Sequence, residues 1–565
     1  MPRQEINIMI GGEAGQGLVT LGQSLAKVLV RSGYRIVVTQ DYMSRVRGGN
    51  NIFLIRAATH EITAGREGVD LLVALDQETL DLYEPHLAPG ALVVSGLGLT
   101  CGQAACFHVP YKELSQPRYY NTVGLGAAGA LLGLKPEVME ATLLKALKKL
   151  SAEIKEENRR VLDAAYTWAL GQERAFDGLA HAAVDDKRLM LNGNEALGLG
   201  ALAGGVKFLS FYPMTPSTSV ALTVIAHAEA MGVFHEQAED EIAAINMALG
   251  ASFAGAPALV CTSGGGFALM GEGVSLAGMT ETPVVIVVAQ RPGPATGLPT
   301  RTEQGDLELV LHAGHGAFPR AILTPGSVED CFAAAYRAFH LAEASQGPVF
   351  VLTDQYLADS YRAVEPFDLT GLAPVTAGAR DLGLGEDYRR YEMSQHCLSP
   401  RALPGFGPEL VVADSDEHDE EGHIIEDAAT RRAMQEKRLS KFAYLVGEAL
   451  PPAFEGPEDP ELLLVCWGSS LGPVAEAAVI LRGQGRSVAF CHFPQVWPLL
   501  PEAFLPRFNR AGRVVMVEAN AQGQLARLIR RETGLAMAGL ISRYDGRPFT
   551  PDYILAHLAV QEAEE

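Results

Sequence analysis

Three stretches of this chain carry side chains whose types and spacing suit chemistry on a small anionic substrate. The first is Phe211-Tyr-Pro-Met-Thr-Pro-Ser-Thr-Ser219. Its two prolines donate no backbone hydrogen bond, and each holds its own φ near one value. Each also pushes the residue before it toward extended geometry. The segment reads as a stiff loop presenting Thr215 and the hydroxyls of Ser217, Thr218 and Ser219, able to hold a polar substrate. The same residues also suit a helix N-cap. The second stretch is Gly297-Leu-Pro-Thr-Arg-Thr-Glu-Gln304, where Gly and Pro shape the loop that carries Arg301. A guanidinium can grip a carboxylate bidentately; the alternative is a local salt bridge with Glu303 or Asp306. The third is Glu236-Gln-Ala-Glu-Asp-Glu241, ahead of a run rich in Ala and Gly. Glu241 leads straight into that helical run, where the helix dipole favours its charge and desolvation raises its pKa. Glu239 is the next candidate.

Other groups qualify less sharply. Thr262-Ser-Gly-Gly-Gly266 follows an apolar run. Bare backbone at Ser263, Gly264 and Gly265 either lets a flat ring approach or makes a plain turn. Arg45 and Arg47, in Ser44-Arg-Val-Arg-Gly-Gly49, either clamp an anion or lie on a surface turn. Gly11-Gly-Glu-Ala-Gly-Gln-Gly17 lets backbone N–H groups approach a phosphate at a helix start, but its glycines at 11, 12, 15 and 17 do not fit the dinucleotide pattern. His312 and His315 lack a third ligand, so no metal site is expected.

The elements that must position these groups form an α/β pattern. Strand-like Ile6–Ile10 precedes the glycine loop, and helix-like Leu21–Ser32 follows it. Further strands read at Tyr34–Thr39, Asn51–Arg56, Val69–Leu75 and Ala91–Ser95, and the alternation predicts a mostly parallel sheet covered on both faces. Residues 170–190 read as a linker. A second α/β domain shows strands at Ala258–Thr262, Val284–Ala289 and Val349–Thr353, each an apolar run directly after a proline. On this reading the Arg301 loop lies at the ligand-binding end of the sheet. Residues 366–425, rich in Pro, Gly and acidic groups, read as an extended connection, and 426–450 as a helix. A third domain has strands at Leu462–Trp467, Ser487–Cys491 and Val514–Glu518. The expected boundaries are 1–180, 191–365, 366–455 for linker and helix, and 456–565.

Composition narrows the classes. The chain has 565 residues and a net charge of −22, which opposes nucleic-acid and anionic-membrane binding. Asp414 to Glu421 carries six carboxylates in eight residues and reads as a solvated loop. No apolar run is long enough for a membrane span, and no signal peptide is visible, so the expected location is cytoplasmic. Seven cysteines, an odd number without a Cys-x-x-Cys pair, argue against a disulfide framework and against an iron–sulfur cluster on this chain.

Tyr212-Pro-Met-Thr-Pro-Ser-Thr218 resembles the Tyr-Pro-Ile-Thr-Pro-Ser signature of the 2-oxoacid:ferredoxin oxidoreductases, with Met in place of Ile. The likeness continues in Leu191-Asn-Gly-Asn-Glu-Ala-Leu-Gly-Leu-Gly-Ala201, Thr262–Met270, Gly297–Gln304, Ser399-Pro-Arg-Ala-Leu-Pro-Gly405, Gly422-His-Ile-Ile-Glu-Asp427 and Glu518–Gln524. Order and spacing are similar to the α subunit of the two-subunit enzymes, with a γ-like domain fused in front. Ser44–Gly49 and Asn121-Thr-Val-Gly-Leu-Gly126 belong to the γ likeness.

The resemblance implies three α/β domains: γ-type, thiamine-diphosphate pyrimidine-binding, and transketolase C-terminal-like. It implies Glu241 as the catalytic glutamate beside the aminopyrimidine ring. It also implies Thr215 and Arg301 as contacts to the 2-oxoacid, with Ser217 beside them, and Ser263, Gly264 and Gly265 along the thiamine diphosphate. Arg45 and Arg47 become candidates for a coenzyme A phosphate. No Gly-Asp-Gly…Asn segment for Mg2+ reads in this chain, and the resemblance assigns that segment and the iron–sulfur cluster to a separate β subunit. The implied reaction is CoA-dependent oxidative decarboxylation of a 2-oxoacid with electrons passed to ferredoxin, in a dimer of heterodimers. The fused layout favours 2-oxoglutarate; pyruvate, branched-chain 2-oxoacids and a non-redox transketolase-like α subunit are the alternatives. A nucleotide-binding module without chemistry would rest on the Gly11–Gly17 loop alone.

Overall fold

Apolar runs buried on both faces make the sheets of this protein, and where helices separate them the strands run parallel. The computed structural model describes all residues except 1, 14–15, 44–48, 174–175, 185–186, 395–396 and 565. These residues fall into two compact units.

The first unit comprises residues 1–191, 359–367 and 550–553. Its eight-stranded sheet runs in the order Ala105–Val109, Leu87–Gly96, Val69–Ala74, Glu5–Glu13, Asn50–Ala58, Arg35–Asp41, Tyr361–Val364, Leu189–Leu191. The first four strands are mutually parallel, and the four pairings beyond Glu5–Glu13 are antiparallel. The mostly parallel sheet expected from the sequence is therefore corrected to a mixed one. Arg35–Asp41 and Asn50–Ala58, consecutive strands only eight residues apart in sequence, pair antiparallel, because so brief a connection is too short for a parallel crossover. Helices Leu18–Arg31, Tyr120–Leu132 and Ala152–Leu170 bury Leu21, Leu25, Val123 and Val161 in one core with Ile8 and Ile55. The strand runs on to Glu13, through the first two glycines of the loop. Gly17 opens the following helix at φ 83°, and a side chain there would collide with Asn121. Arg45 and Arg47 lie outside the described residues.

Two expectations for this unit change. The segment read as a linker is laid along the sheet: Arg3 N–H donates to Gly178, Ala180 N–H to Arg3, and Phe176, Leu179 and Ala182 are buried. Cys101 and Cys106 form a disulfide, a single local bond where the odd cysteine count argues against a disulfide framework. The Glu84 carboxylate accepts the N–H groups of Gly102, Gln103 and Ala104 at 2.7–3.2 Å and so folds the loop between the two cysteines.

The second unit comprises residues 192–358, 368–549 and 554–565. Its seven-stranded sheet has the order Gln495–Trp497, Ala321–Leu323, Pro348–Asp354, Val284–Gln290, Ala258–Thr262, Phe208–Phe211, Phe234–Gln237. All pairings are parallel except that of the first strand. From Phe208–Phe211 the chain first builds the edge strand Phe234–Gln237, then crosses to the other side with Ala258–Thr262. That reversal opens a crevice at the carboxyl ends of Phe208–Phe211 and Ala258–Thr262. A five-stranded sheet of order Ala453–Glu455, Val488–Phe493, Leu462–Trp467, Arg513–Glu518, Gly539–Ser542 completes the unit; only its first strand is antiparallel.

The stretch between the two sheets is pinned by buried charge. Lys437 and Lys441, on helix Ala428–Gly447, both pair with the buried Glu281, whose backbone carbonyl accepts from Arg390 at 2.7 Å. Burial pushes the Glu281 carboxyl up, but the two ammoniums overcome it and hold it at about 2. The acidic run Asp414–Glu421 is not wholly a solvated loop: Glu417 accepts both Arg431 and Arg438, and His418 is fully buried. Among the described residues no helix is long and apolar enough to cross a membrane.

Candidate active site

The carboxyl ends of neighbouring parallel strands deliver the candidate residues to one edge of the seven-stranded sheet. Phe208–Phe211 leads to Thr215, Phe234–Gln237 to Glu241, Ala258–Thr262 to Ser263–Gly266, and Val284–Gln290 to Arg291, Arg301 and Asp306. Side chains from a strand, a strand end and the helix Gly193–Gly204 hold these loops. Ser210 Oγ donates to the Ala244 carbonyl at 2.6 Å, tying the strand before Thr215 to the helix that Glu241 begins. Asn194 Nδ2 donates to the Pro216 carbonyl at 2.7 Å and to Ser219 Oγ at 2.8 Å. Arg291 donates to the Thr215 carbonyl at 2.7 Å.

The Thr215 loop is stiff for reasons beyond its prolines. Helix Thr218–Met231 begins directly after Ser217, whose side chain makes no capping hydrogen bond. The Ser217 hydroxyl instead donates to the Met214 carbonyl at 2.8 Å, and the residue is fully buried. In this structure the Ser217 hydroxyl, expected to be presented by the loop, closes the loop on itself. Thr215 stays half-buried at the tip.

Glu241 is the buried acid of its stretch; Glu236 and Glu239 are exposed. Asp240 caps the helix Glu241–Phe253 by accepting the Ala243 N–H at 2.7 Å, so the cap needs nothing from Glu241. Glu241 is 3% exposed, yet its Oε1 meets no donor among the described residues. Burial pushes its carboxyl up, and the nearby Asp240 adds to this. Gly266 faces it: a side chain at Gly266 would overlap Glu241 Oε1 and Thr262 Oγ1. Gly264–Phe267 is a single helical turn, and Ser263 ahead of it is fully buried with an idle Oγ. Bare backbone, an idle hydroxyl and an idle carboxyl oxygen converge here, and buried polar atoms without partners ask for a ligand.

These residues fit the aminopyrimidine end of thiamine diphosphate, which offers a ring nitrogen to a carboxyl group and a flat face to bare backbone. They do not supply the diphosphate end. Among the described residues one group of three His, Cys, Asp or Glu side chains stands within metal-sharing distance, Cys101, Cys106 and His108 in the first unit, and its two cysteines are joined in the disulfide.

Arg301 is half-buried; its backbone N–H donates to Leu298 at 3.1 Å, and its Cβ and Cγ pack against Gly546. Three of its neighbours were missed as site residues. Arg291 holds the Thr215 carbonyl and is pushed down by burial. Asp306 is raised by burial, against the pull of Arg291, to about 6, and its Oδ2 has no partner among the described residues. Gln304 bridges the two sheets: it donates to the Trp467 carbonyl at 2.8 Å and accepts from Ser470 Oγ at 3.1 Å and from Ala519 N–H at 2.9 Å. The signal for these residues was present in Gln290-Arg291 at a strand end and in Gln304-Gly-Asp306 after the Arg301 loop. Their partners, however, lie tens to hundreds of residues away. His312 meets Arg531 at 3.0 Å, and the His315 backbone N–H donates to Ser275 Oγ at 2.8 Å.

Comparison with known proteins bears on the same residues. The family described as "Pyruvate flavodoxin/ferredoxin oxidoreductase, thiamine diP-bdg" matches residues 199–438, which contain Thr215, Glu241, Ser263–Gly266, Arg291, Arg301 and Asp306. "Pyruvate ferredoxin/flavodoxin oxidoreductase" matches residues 7–168. The chain is 31% identical to 2-oxoacid:ferredoxin oxidoreductase 2, subunit alpha, of Aeropyrum pernix, over 96% of each. It is 29% identical to 2-oxoglutarate oxidoreductase subunit KorA of Mycobacterium tuberculosis, over 99% of this chain and 93% of the relative. It is also similar to a solved 2-oxoglutarate:ferredoxin oxidoreductase from Magnetococcus marinus, with 2-oxoglutarate, coenzyme A and succinyl-CoA bound. That match has a TM-score of 0.92 and 30% identity and covers 99% of both chains.

Proposed function

Since the chain belongs to the family of 2-oxoacid:ferredoxin oxidoreductase α subunits, we propose that it carries half of a catalytic centre for 2-oxoglutarate. In this reading 2-oxoglutarate and coenzyme A become succinyl-CoA and carbon dioxide, and two electrons leave one at a time to ferredoxin. The observation that carries it is the buried Glu241 with its idle Oε1, set against the bare backbone of Gly266. Thiamine diphosphate, when bound, supplies the centre that accepts the carbonyl carbon of the 2-oxoacid and stabilises the electron pair left by carbon dioxide.

This chain's own residues bind, orient and hold protons. Glu241 would hold the aminopyrimidine of the cofactor through its idle oxygen, and burial shifts its carboxyl upward, in the direction that favours a carboxyl group able to share a proton with a ring nitrogen. Ser263 and the two glycines after it let the ring lie close. Thr215 and Arg301 hold the C1 carboxylate, the hydroxyl by direction and the guanidinium by charge. The stiffness of the Thr215 loop means that little entropy is lost when it grips.

Mg2+, the diphosphate contacts and the iron–sulfur cluster are assigned to a β subunit, and the working enzyme to a dimer of such heterodimers. The choice of 2-oxoglutarate draws on the names of the Magnetococcus marinus and Mycobacterium tuberculosis proteins. Arg45 and Arg47 stay candidates for a coenzyme A phosphate. The test is reconstitution with the β subunit, followed by CoA-dependent reduction of ferredoxin with 2-oxoglutarate, pyruvate and a branched-chain 2-oxoacid. Highest kcat/KM on 2-oxoglutarate, and no turnover by either subunit alone, are expected. A preference for pyruvate would overturn the substrate, and turnover without the β subunit would overturn the shared centre.

A further inference from the structure

Cys101, Cys106 and His108 meet at the edge strand of the first sheet. Strand Ala105–Val109 carries Cys106 and His108 two residues apart, and alternate residues of a strand point to the same side. Cys101 reaches them from the loop before that strand. The two sulfurs and a ring nitrogen of His108 lie within 4.8 Å of one another. All three are accessible: both cysteines are half-buried and His108 is exposed, whereas Cys261, Cys331, Cys466 and Cys491 are buried.

This arrangement does not depend on the sulfur–sulfur bond. Glu84 accepts the N–H groups of Gly102, Gln103 and Ala104, and a side chain at Gly102 would overlap its carboxylate, so hydrogen bonds already give the loop its shape. Ala105–Val109 is registered along its whole length on the neighbouring strand, from Leu92 to Gly96. A bond that closes so short a loop constrains the unfolded chain less than one that closes a long loop. His108 is held as well. The hydroxyl of Ser95, its fully buried cross-strand partner, meets His108 Nδ1 at 3.0 Å. A hydrogen bond on one ring nitrogen is what orients a metal-binding imidazole.

We propose that Cys101, Cys106 and His108 form a site for a zinc-type cation, closed while the disulfide stands and opened by its reduction. A dithiol supplies the electrons. Its first sulfur attacks one cysteine sulfur and releases the other; its second then displaces the mixed disulfide, so that the dithiol closes on itself and its two protons pass to Cys101 and Cys106. The cation displaces both protons. A divalent ion then meets two thiolates and a neutral imidazole, a set without net charge. Zinc–sulfur bonds of about 2.3 Å in a tetrahedron place two sulfurs about 3.8 Å apart. That spacing falls inside the 4.8 Å that already encloses the three ligand atoms. The sulfurs part to it by turning about their Cα–Cβ bonds, on Cα atoms 6.4 Å apart. Water takes the fourth position. Two sulfurs and one nitrogen suit Zn2+ over Mg2+ or Ca2+, which take oxygen ligands. The site lies in the first unit and is independent of the 2-oxoacid reading, so neither stands or falls with the other.

The experiment uses the full-length chain, oxidised and dithiothreitol-reduced, with the reductant then removed in the absence of air. Zn2+ is added at one equivalent and retained metal is counted after gel filtration; Co2+ serves as the spectroscopic probe, and melting is followed in both forms. The reduced wild type is expected to retain one Zn2+ and to show thiolate-to-cobalt charge transfer with Co2+, and the oxidised chain to retain none. Cys101→Ser and Cys106→Ser should each abolish retention. His108→Ala should weaken binding about a hundredfold and Ser95→Ala about tenfold. Cys397→Ser, at the remaining cysteine that is not buried, should change nothing. Zinc held equally by the oxidised chain, by Cys101→Ser or by His108→Ala would overturn the proposal. A reduced wild type that retains no zinc would also overturn it. So would loss of the fold on reduction, which would make the bond a structural staple.

Discussion

Glu518 and Glu241 are both glutamates buried in the second unit, and burial pushes both carboxyls up. Their hydrogen bonding differs completely. Glu518 accepts from Trp467 Nε1 at 3.1 Å and from Asn520 Nδ2, Leu525 N–H and Ala526 N–H at 2.9 Å each. It starts helix Gln524–Thr533 and locks the turn Glu518–Gln524, and no acceptor capacity is left over. Glu241 sits at a helix start already capped by Asp240, packed against the bare Cα of Gly266, with Oε1 idle. A buried carboxyl is therefore no sign of function in itself. The one that counts for chemistry is the one the chain leaves unsatisfied, because an idle buried acceptor costs stability unless something else meets it.

The contrast is open to attack by mutation. The largest effect is expected for Glu241→Gln. It keeps the shape but loses the exchangeable proton, and kcat should fall by about 10²–10⁴ with no loss of melting temperature or of assembly with the β subunit. Loss of folding in this variant would erase the distinction from Glu518. Glu518→Ala should do the opposite. It strands four buried donors, and urea denaturation should show a loss of about 3 kcal/mol or more, while the kcat of the molecules that remain folded is little changed. Arg301→Ala comes next: KM for the 2-oxoacid should rise about tenfold to a hundredfold, as expected for a lost charge-assisted hydrogen bond. Thiamine diphosphate affinity, read by titrating the cofactor, should hardly move; equal losses of both would remove Arg301 from the substrate grip. The smallest effect is expected for Ser217→Ala. Removing its bond to Met214 should lower stability by about 1 kcal/mol, with kcat and KM kept. A drop in kcat would mean that its hydroxyl reaches the substrate after all.

Much of this architecture was legible from residue patterns. The buried strands at 258–262, 284–290 and 348–354 stood out as largely apolar runs directly after or beginning at a proline, and the Asp240–Glu241 helix start stood out by its alanines. What escaped reading was short or polar. Phe234–Gln237 is an edge strand with every residue exposed, so it carries no hydrophobic alternation. Gln495–Trp497 and Tyr361–Val364 are strands only because a distant edge is there to pair with them. The antiparallel half of the first sheet was missed because alternating elements suggest crossovers, whereas Arg35–Asp41 and Asn50–Ala58 pair antiparallel across a connection too short for one. Cys101 and Cys106 met because Glu84 gathers the backbone between them, a contact that no cysteine count reveals.

The candidate site divides in the same way. Thr215, Arg301 and Glu241 were readable because prolines, glycines and helix starts leave local marks in a sequence. The bond that Ser217 makes was not legible because its partner, the Met214 carbonyl, is part of the backbone and is invisible to residue type. Arg291, Gln304 and Asp306 were passed over because their roles depend on partners such as Thr215, Gln290, Trp467 and Ala519.

The residue order alone determined the strand and helix alternation, the stiffness of the Thr215 loop, the strongly acidic balance and the family. These follow from short-range sterics, hydrophobic run lengths and composition, which need no knowledge of distant neighbours. Only the folded chain decided which buried acid is satisfied and which is idle, and which hydroxyl faces inward. It also decided that one strand end joins the loops carrying Thr215 and Asp306. Hydrogen-bond satisfaction is a property of three-dimensional neighbours: a donor 2.9 Å from Glu518 can lie seven residues onward, and the group that Arg291 holds lies 76 residues back.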